Sequence, residues 1–174
     1  RINQVQHRFE LVVATQDWHP PDHGSFAANH PGTHPGDVIE LAGLRQILWP
    51  VHCVQKTRGA ELSADLQKFR IARIFQKGTH VEVDSYSGFF DNGRRYSTGL
   101  ADFLHLRGVY EVYVCGLATD YCVKYTALDA AREGFRTTVL TDACRGVELH
   151  PGDIERAWGE LRSAGVVLHT CDQV

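Results

Sequence analysis

Residues 111–123, EVYVCGLATDYCV, read as an apolar strand, a turn of small residues and the opening of a helix. Val112, Val114 and Leu117 mark a buried run, Gly116 and Ala118 let backbone approach closely, and Thr119 or Asp120 is placed to cap the helix that follows. This reading puts Cys122 in the helix's first turn. There the unpaired N–H groups and the positive end of the helix dipole favour thiolate over thiol, and backbone donors are at hand for an oxyanion on a carbonyl carbon. A small cysteine buried beneath a helix is the competing reading of this segment taken alone.

Outward from it, apolar runs alternate with helical patterns, which predicts a parallel sheet covered on both faces. The predicted strands are Leu11–Thr15, Ile71–Gln76, Glu111–Gly116, Thr137–Thr141 and Val166–Thr170, and the predicted helices Glu61–Phe69, Gly99–Arg107, Cys122–Glu133 and Gly152–Ala164. No repeat or linker divides the run, so residues 1–174 are expected to form one α/β domain. The opening, RINQVQHRFELVVAT, reads as the tail of a helix entering a strand, and the chain holds no methionine. A first strand and most of a helix are therefore expected before Arg1. The long stretch His19–Gln55, rich in His, Pro and Gly, reads as a functional loop.

Composition narrows the function classes. With 43% hydrophobic residues the chain has enough apolar mass for a proper core, and a net charge of -3 gives no basic surface for nucleic acid. No window approaches the roughly 18 apolar residues of a membrane span. Five cysteines without framework spacing point to reduced thiols, and a cytoplasmic protein is expected.

Three further features carry chemistry. Asp17 and His19 follow the first predicted strand and project from one face at its carboxyl end, where open α/β sheets bind ligands. Several histidines could complete a site with them, His23, His30, His34 and His52 among them, and two imidazoles plus a carboxylate suit Zn²⁺, Fe²⁺ or Mn²⁺ with positions left open. A surface Asp-x-His is the plainer reading of that spacing. Lys77 closes a buried strand before Gly78 and points into the same crevice, where an ammonium would lower the pKa of a nearby thiol; a solvated strand-end lysine is the alternative. Tyr86, Phe89 and Phe90 offer aromatic faces for a core or a ligand wall.

TQDWHPPDHGSFAANH, LWPVHCVQ, FQKG, DSYSGFFDNGRR, GLATDYCVKYTALDA and TDACRGV occur in this order from near residue 10 to beyond residue 145. Together they make the chain resemble the nicotinamidases (pyrazinamidases) of the isochorismatase-like cysteine hydrolases. The resemblance implies a three-layer α/β/α fold around a six-stranded parallel sheet. It also implies hydrolysis of nicotinamide to nicotinate and ammonia through a cysteine thioester, with one divalent ion, Zn, Fe or Mn, on the ring nitrogen. Carried over by position, Cys122 matches the nucleophile, Lys77 the catalytic lysine, and Asp17, His19 and His52 the metal ligands. His23 matches a ligand found only in some relatives. Ala118 and Cys122 match the oxyanion hole, after a cis peptide at Leu117–Ala118, and Trp49 and Tyr86 match residues flanking the substrate ring.

The family's general base, an aspartate on its first strand, has no match in residues 1–174 and is expected before residue 1. Another small-amide hydrolase of the scaffold, or an inactive metal-binding relative, is the alternative function. The expected partner is the small substrate, with a homo-oligomer open, and neither nucleic acid nor membrane is expected.

Overall fold

The computed structural model describes residues 1–174. Five strands run parallel: β1 (Val12–Asp17), β4 (Ile71–Lys77), β5 (Glu111–Leu117), β6 (Arg136–Arg145) and β7 (Val167–His169). They lie in two sheets, β1–β4 and β5–β6–β7, in place of the single six-stranded sheet that the resemblance implies. β1 and β5 each pair on one side only, and no β1 residue is fully buried.

The strands alternate faces as their pleat requires. On one face Val112 packs on the cluster of Phe75, Leu100, Phe103 and Phe135, and Val114 on that of Val123, Ala127, Val139 and Leu161. These groups seat α2 (Leu100–His105), α3 (Lys124–Arg132) and α4 (Asp153–Ser163). On the other, Tyr113 packs on Val5, Leu140 and Cys171, and Val5 comes from the single turn α1 (Ile2–Val5).

Two expectations fail here. Residues 61–69 form no α-helix, only the start of a 3-10 turn at Lys68–Arg70: Phe69 is 80% exposed, and the bend is instead held by Asn3, which donates to Asp65 O and accepts from Gln67 N. An amphipathic pattern with nothing to pack against does not sustain a short helix. The stretch read as a loop contains a hairpin, β2 (Val38–Leu41) with β3 (Leu44–Ile47), joined by Ala42-Gly43 with φ of 49° and 83°. Positive φ at both positions gives a two-residue turn whose twist matches the strands.

Candidate active site

The carboxyl ends of β1, β4 and β5 converge. β1 ends at Asp17 and β4 at Lys77, paired in register. β5 passes through a cis Leu117–Ala118 peptide into a π-helical turn, Thr119–Val123, that runs on as α3. The helix thus begins earlier than its expected start at Cys122. Its turn is closed on Ala118 O, which accepts the N–H of Tyr121 at 3.1 Å and of Val123 at 3.0 Å, and not that of Cys122 between them. Neither Thr119 nor Asp120 caps it through its side chain. Asp120 instead accepts the N–H groups of Val147 (3.0 Å) and Glu148 (2.7 Å), tying the loop after β6 to the turn that carries Cys122.

Lys77 is 4% exposed, and its ammonium has three donors with three partners. Nζ lies 2.5 Å from Asp17 Oδ1, donates to Ser85 O at 2.6 Å, and reaches Cys122 Sγ at 3.4 Å. The solvated strand-end lysine is thereby ruled out. His19 donates Nδ1–H to Gly78 O, and His52 donates Nδ1–H to Pro50 O, each at 2.8 Å. A carbonyl oxygen only accepts, so each Nδ1 carries a proton, and in the neutral ring the Nε2 lone pair is the one left free. One ligand atom from each of Asp17, His19 and His52 lies within 4.8 Å of the others. Glycine is needed at 78, since a Cβ there would sit 2.3 Å from His19 Cε1.

Trp49, Tyr86 and Tyr121 form one wall. Trp49 Nε1 donates to Tyr86 OH at 3.2 Å, and the Tyr121 ring stands edge-on to Trp49 at 4.8 Å. The wall, Cys122, Ala118, Val147 and the Asp17–His19–His52 group line one cleft of about 210 Å³.

The charges balance in pairs. Burial drives the Asp17 carboxyl up, but Lys77 outweighs it and holds it below the usual range. Burial drives Lys77 down, but Cys122 and Asp17 raise it overall, so it stays an ammonium. Burial lowers His19 and keeps it neutral. Burial raises the Cys122 thiol, and Lys77 offsets this only in part. Within residues 1–174 burial thus outweighs the lysine at Cys122, opposite in direction to the thiolate that a helix start favours.

The isochorismatase-domain family model matches residues 9–173. The chain belongs to the isochorismatase family. Among its members, the nicotinamidase of Escherichia coli is 50% identical over 169 residues, 97% of this chain and 79% of that protein. The structure of a nicotinamidase and pyrazinamidase from Acinetobacter baumannii superposes with a TM-score of 0.95 at 48% identity, covering 99% of this chain and 83% of that one. A pyrazinamidase from Pyrococcus horikoshii, solved in complex with zinc, superposes with a TM-score of 0.75 at 38% identity, covering 97% of this chain and 80% of that one.

Within the isochorismatase frame, Asp17, His19, Trp49, His52, Lys77, Tyr86, Ala118 and Cys122 all reach one cleft. His23 does not join the Asp17–His19–His52 group; it lies beside His19 and Asp84. Sequence reading missed Asp84, Ser85 and Tyr121. Tyr121 was signalled by its place next to Cys122, while Asp84 and the Ser85 carbonyl had no signal beyond the aromatic stretch around them. Cys115, Cys144 and Cys171 sit in or beside the core, and burial pushes Cys115 up to about 12 and Cys144 to about 11, so neither competes as a nucleophile. All five cysteines are free thiols, and no helix is long and apolar enough to cross a membrane.

Proposed function

We propose that this chain is a metal-dependent cysteine amidohydrolase that converts nicotinamide to nicotinate and ammonia, as in NAD salvage, and that also accepts pyrazinamide. The observation that carries the reading is the chain Asp17–Lys77–Cys122 beside two histidines whose Nδ1–H groups are taken by backbone carbonyls. The nicotinamidase names of the relatives and the zinc in one of them support it.

Asp17, His19 and His52 would hold one divalent ion, Zn, Fe or Mn; the lowered His19 imidazole and the low-lying Asp17 carboxyl fit it without first losing protons. Bound there, such an ion would supply a Lewis acid for the pyridine nitrogen. Trp49, Tyr86 and Tyr121 flank the ring and fix its amide over Cys122. Cys122 Sγ attacks the carbonyl carbon as its proton passes to a base. Lys77 then faces the developing negative charge at 3.4 Å. The Ala118 and Cys122 N–H groups hold the tetrahedral oxyanion, the base returns the thiol's proton to the amide nitrogen so that ammonia leaves as a thioester forms, and water cleaves the thioester to nicotinate and the free thiol. The base we assign, by the family resemblance, to an aspartate outside residues 1–174. It would stand on a strand that pairs with the open edges of β1 and β5, completing a six-stranded sheet in a single domain.

The test is ammonia release from nicotinamide by full-length protein carrying one metal ion. Cys122→Ala is expected to abolish it while leaving metal content unchanged. Retained turnover in that variant would overturn the proposal.

A further inference from the structure

His23 is wholly buried, and its Nε2 has no well-aligned hydrogen-bond partner, although the Val83 backbone carbonyl also bears on the ring. Its other ring nitrogen is fully engaged: Ser25 N–H donates to Nδ1 at 3.2 Å, and Ser25 Oγ lies 2.7 Å from it. A backbone N–H can only donate, so Nδ1 must present its lone pair and cannot also carry a proton. In the neutral ring the proton is then on Nε2. This is the reverse of His19 and His52, where carbonyl oxygens hold the proton on Nδ1 and leave Nε2 bare. A protonated ring nitrogen has no lone pair to give a metal.

The second observation is what surrounds the gap. A ring nitrogen of His19, a ring nitrogen of His23 and an oxygen of Asp84 lie within 4.8 Å of one another, all three residues buried. Since Ser25 occupies Nδ1, the nitrogen that His23 has left for this gap is Nε2. Asp84 is itself aimed by two donors, Ser85 N at 2.7 Å on Oδ1 and Gln46 Nε2 at 3.3 Å on Oδ2. A carboxylate accepts more than two bonds, so Asp84 has acceptor capacity left for a bridging water.

We propose that His23 is a fixed hydrogen-bond donor and not a fourth metal ligand: its Nε2–H, through one water, holds the Asp84 carboxylate beside His19 and so keeps the open side of the metal position polar and ordered. His23 and Asp84 are positioning residues in this scheme. It rests on the proposed metal site, and it replaces the role that resemblance offered for His23.

Long-range ¹H–¹⁵N correlation on histidine-labelled full-length protein tests it, with and without one equivalent of zinc. The expected result is an unprotonated Nδ1 and a protonated Nε2 on His23 in both states, while zinc moves the Nε2 signals of His19 and His52. An unprotonated, zinc-shifted Nε2 on His23 would overturn the proposal. Zinc affinity by chelator competition gives a second reading. His23→Leu is expected to bind about 10-fold more weakly, and His23→Gln, which keeps a donor there, to return within about 3-fold of the unsubstituted enzyme. His23→Gln losing zinc as completely as His52→Ala would also overturn it. If the unsubstituted enzyme binds no metal, the proposed metal site fails, and the metal-free spectrum still decides the tautomer of His23.

Discussion

Replacing Lys77 by Met removes the one positive charge facing the nucleophile and keeps most of the stem's volume. At 3.4 Å, a unit charge acts on a thiolate with about 5 kcal/mol at an effective dielectric near 20. The net effect is smaller, because the ammonium's field at Cys122 is already partly cancelled by Asp17, 2.5 Å from it. A neighbouring charge moves a pKa by about 1–3 units, and about 2 units is the expected rise for Cys122. Below the thiol's pKa the reactive fraction then falls about 100-fold. The assay is the rate of Cys122 alkylation by iodoacetamide against pH, read on the peptide carrying Cys122 so that the other four thiols do not interfere. The curve is expected to move about 2 units to higher pH, with kcat/KM for nicotinamide falling by at least 10²-fold. An unmoved alkylation curve in a folded variant would refute the electrostatic role of Lys77.

Other outcomes follow from the same geometry. Asp120→Ala releases the N–H groups of Val147 and Glu148, and since Val147 lines the cleft, KM is expected to rise several-fold with a smaller change in kcat; steady-state kinetics decide. Leu161→Ala empties a fully buried position between α4 and β6 and is expected to cost about 3 kcal/mol, measured by denaturant titration. Burial pulls His23 down to about 4. Its unfolded value is near 6.5, so between the two the unfolded chain binds more protons and stability rises with pH. That contribution, up to about 3 kcal/mol, is complete above pH 6.5 and lost as pH falls through 4; His23→Gln, with chelator present, is expected to flatten the pH dependence of the denaturation midpoint.

How legible all this was depended on what each residue answers to. Strand-to-helix units announce themselves through local pattern, and α2 and α4 end within two residues of their expected bounds. The expected helix at 61–69 failed because Leu62, Leu66 and Phe69 have helical spacing but do not share one buried face, Leu62 and Leu66 being half-buried and Phe69 80% exposed, which spacing does not encode. The β2–β3 hairpin was hidden among residues that also make loops, and its alternation and Gly43 were its only signals. In the site, Lys77 was legible because a strand end aims its side chain predictably, and Cys122 because a small-residue turn after β5 marks a helix start. The proton state of Cys122 was not, since it is a balance of burial against one ammonium that exists only in the packed structure. The tautomers of His19, His23 and His52 depend on backbone partners that no spacing reveals, and Asp120 looked like a cap until its partners were seen across 27 and 28 residues of chain.

The central claim is that acyl transfer passes through Cys122. Full-length enzyme mixed with nicotinamide and quenched in acid within milliseconds, then weighed intact and digested, tests it most directly. The account predicts a mass gain of one nicotinoyl group on the peptide carrying Cys122, sensitive to hydroxylamine and absent from Cys122→Ala. Steady turnover with that peptide unmodified, or the adduct on another residue, would contradict it.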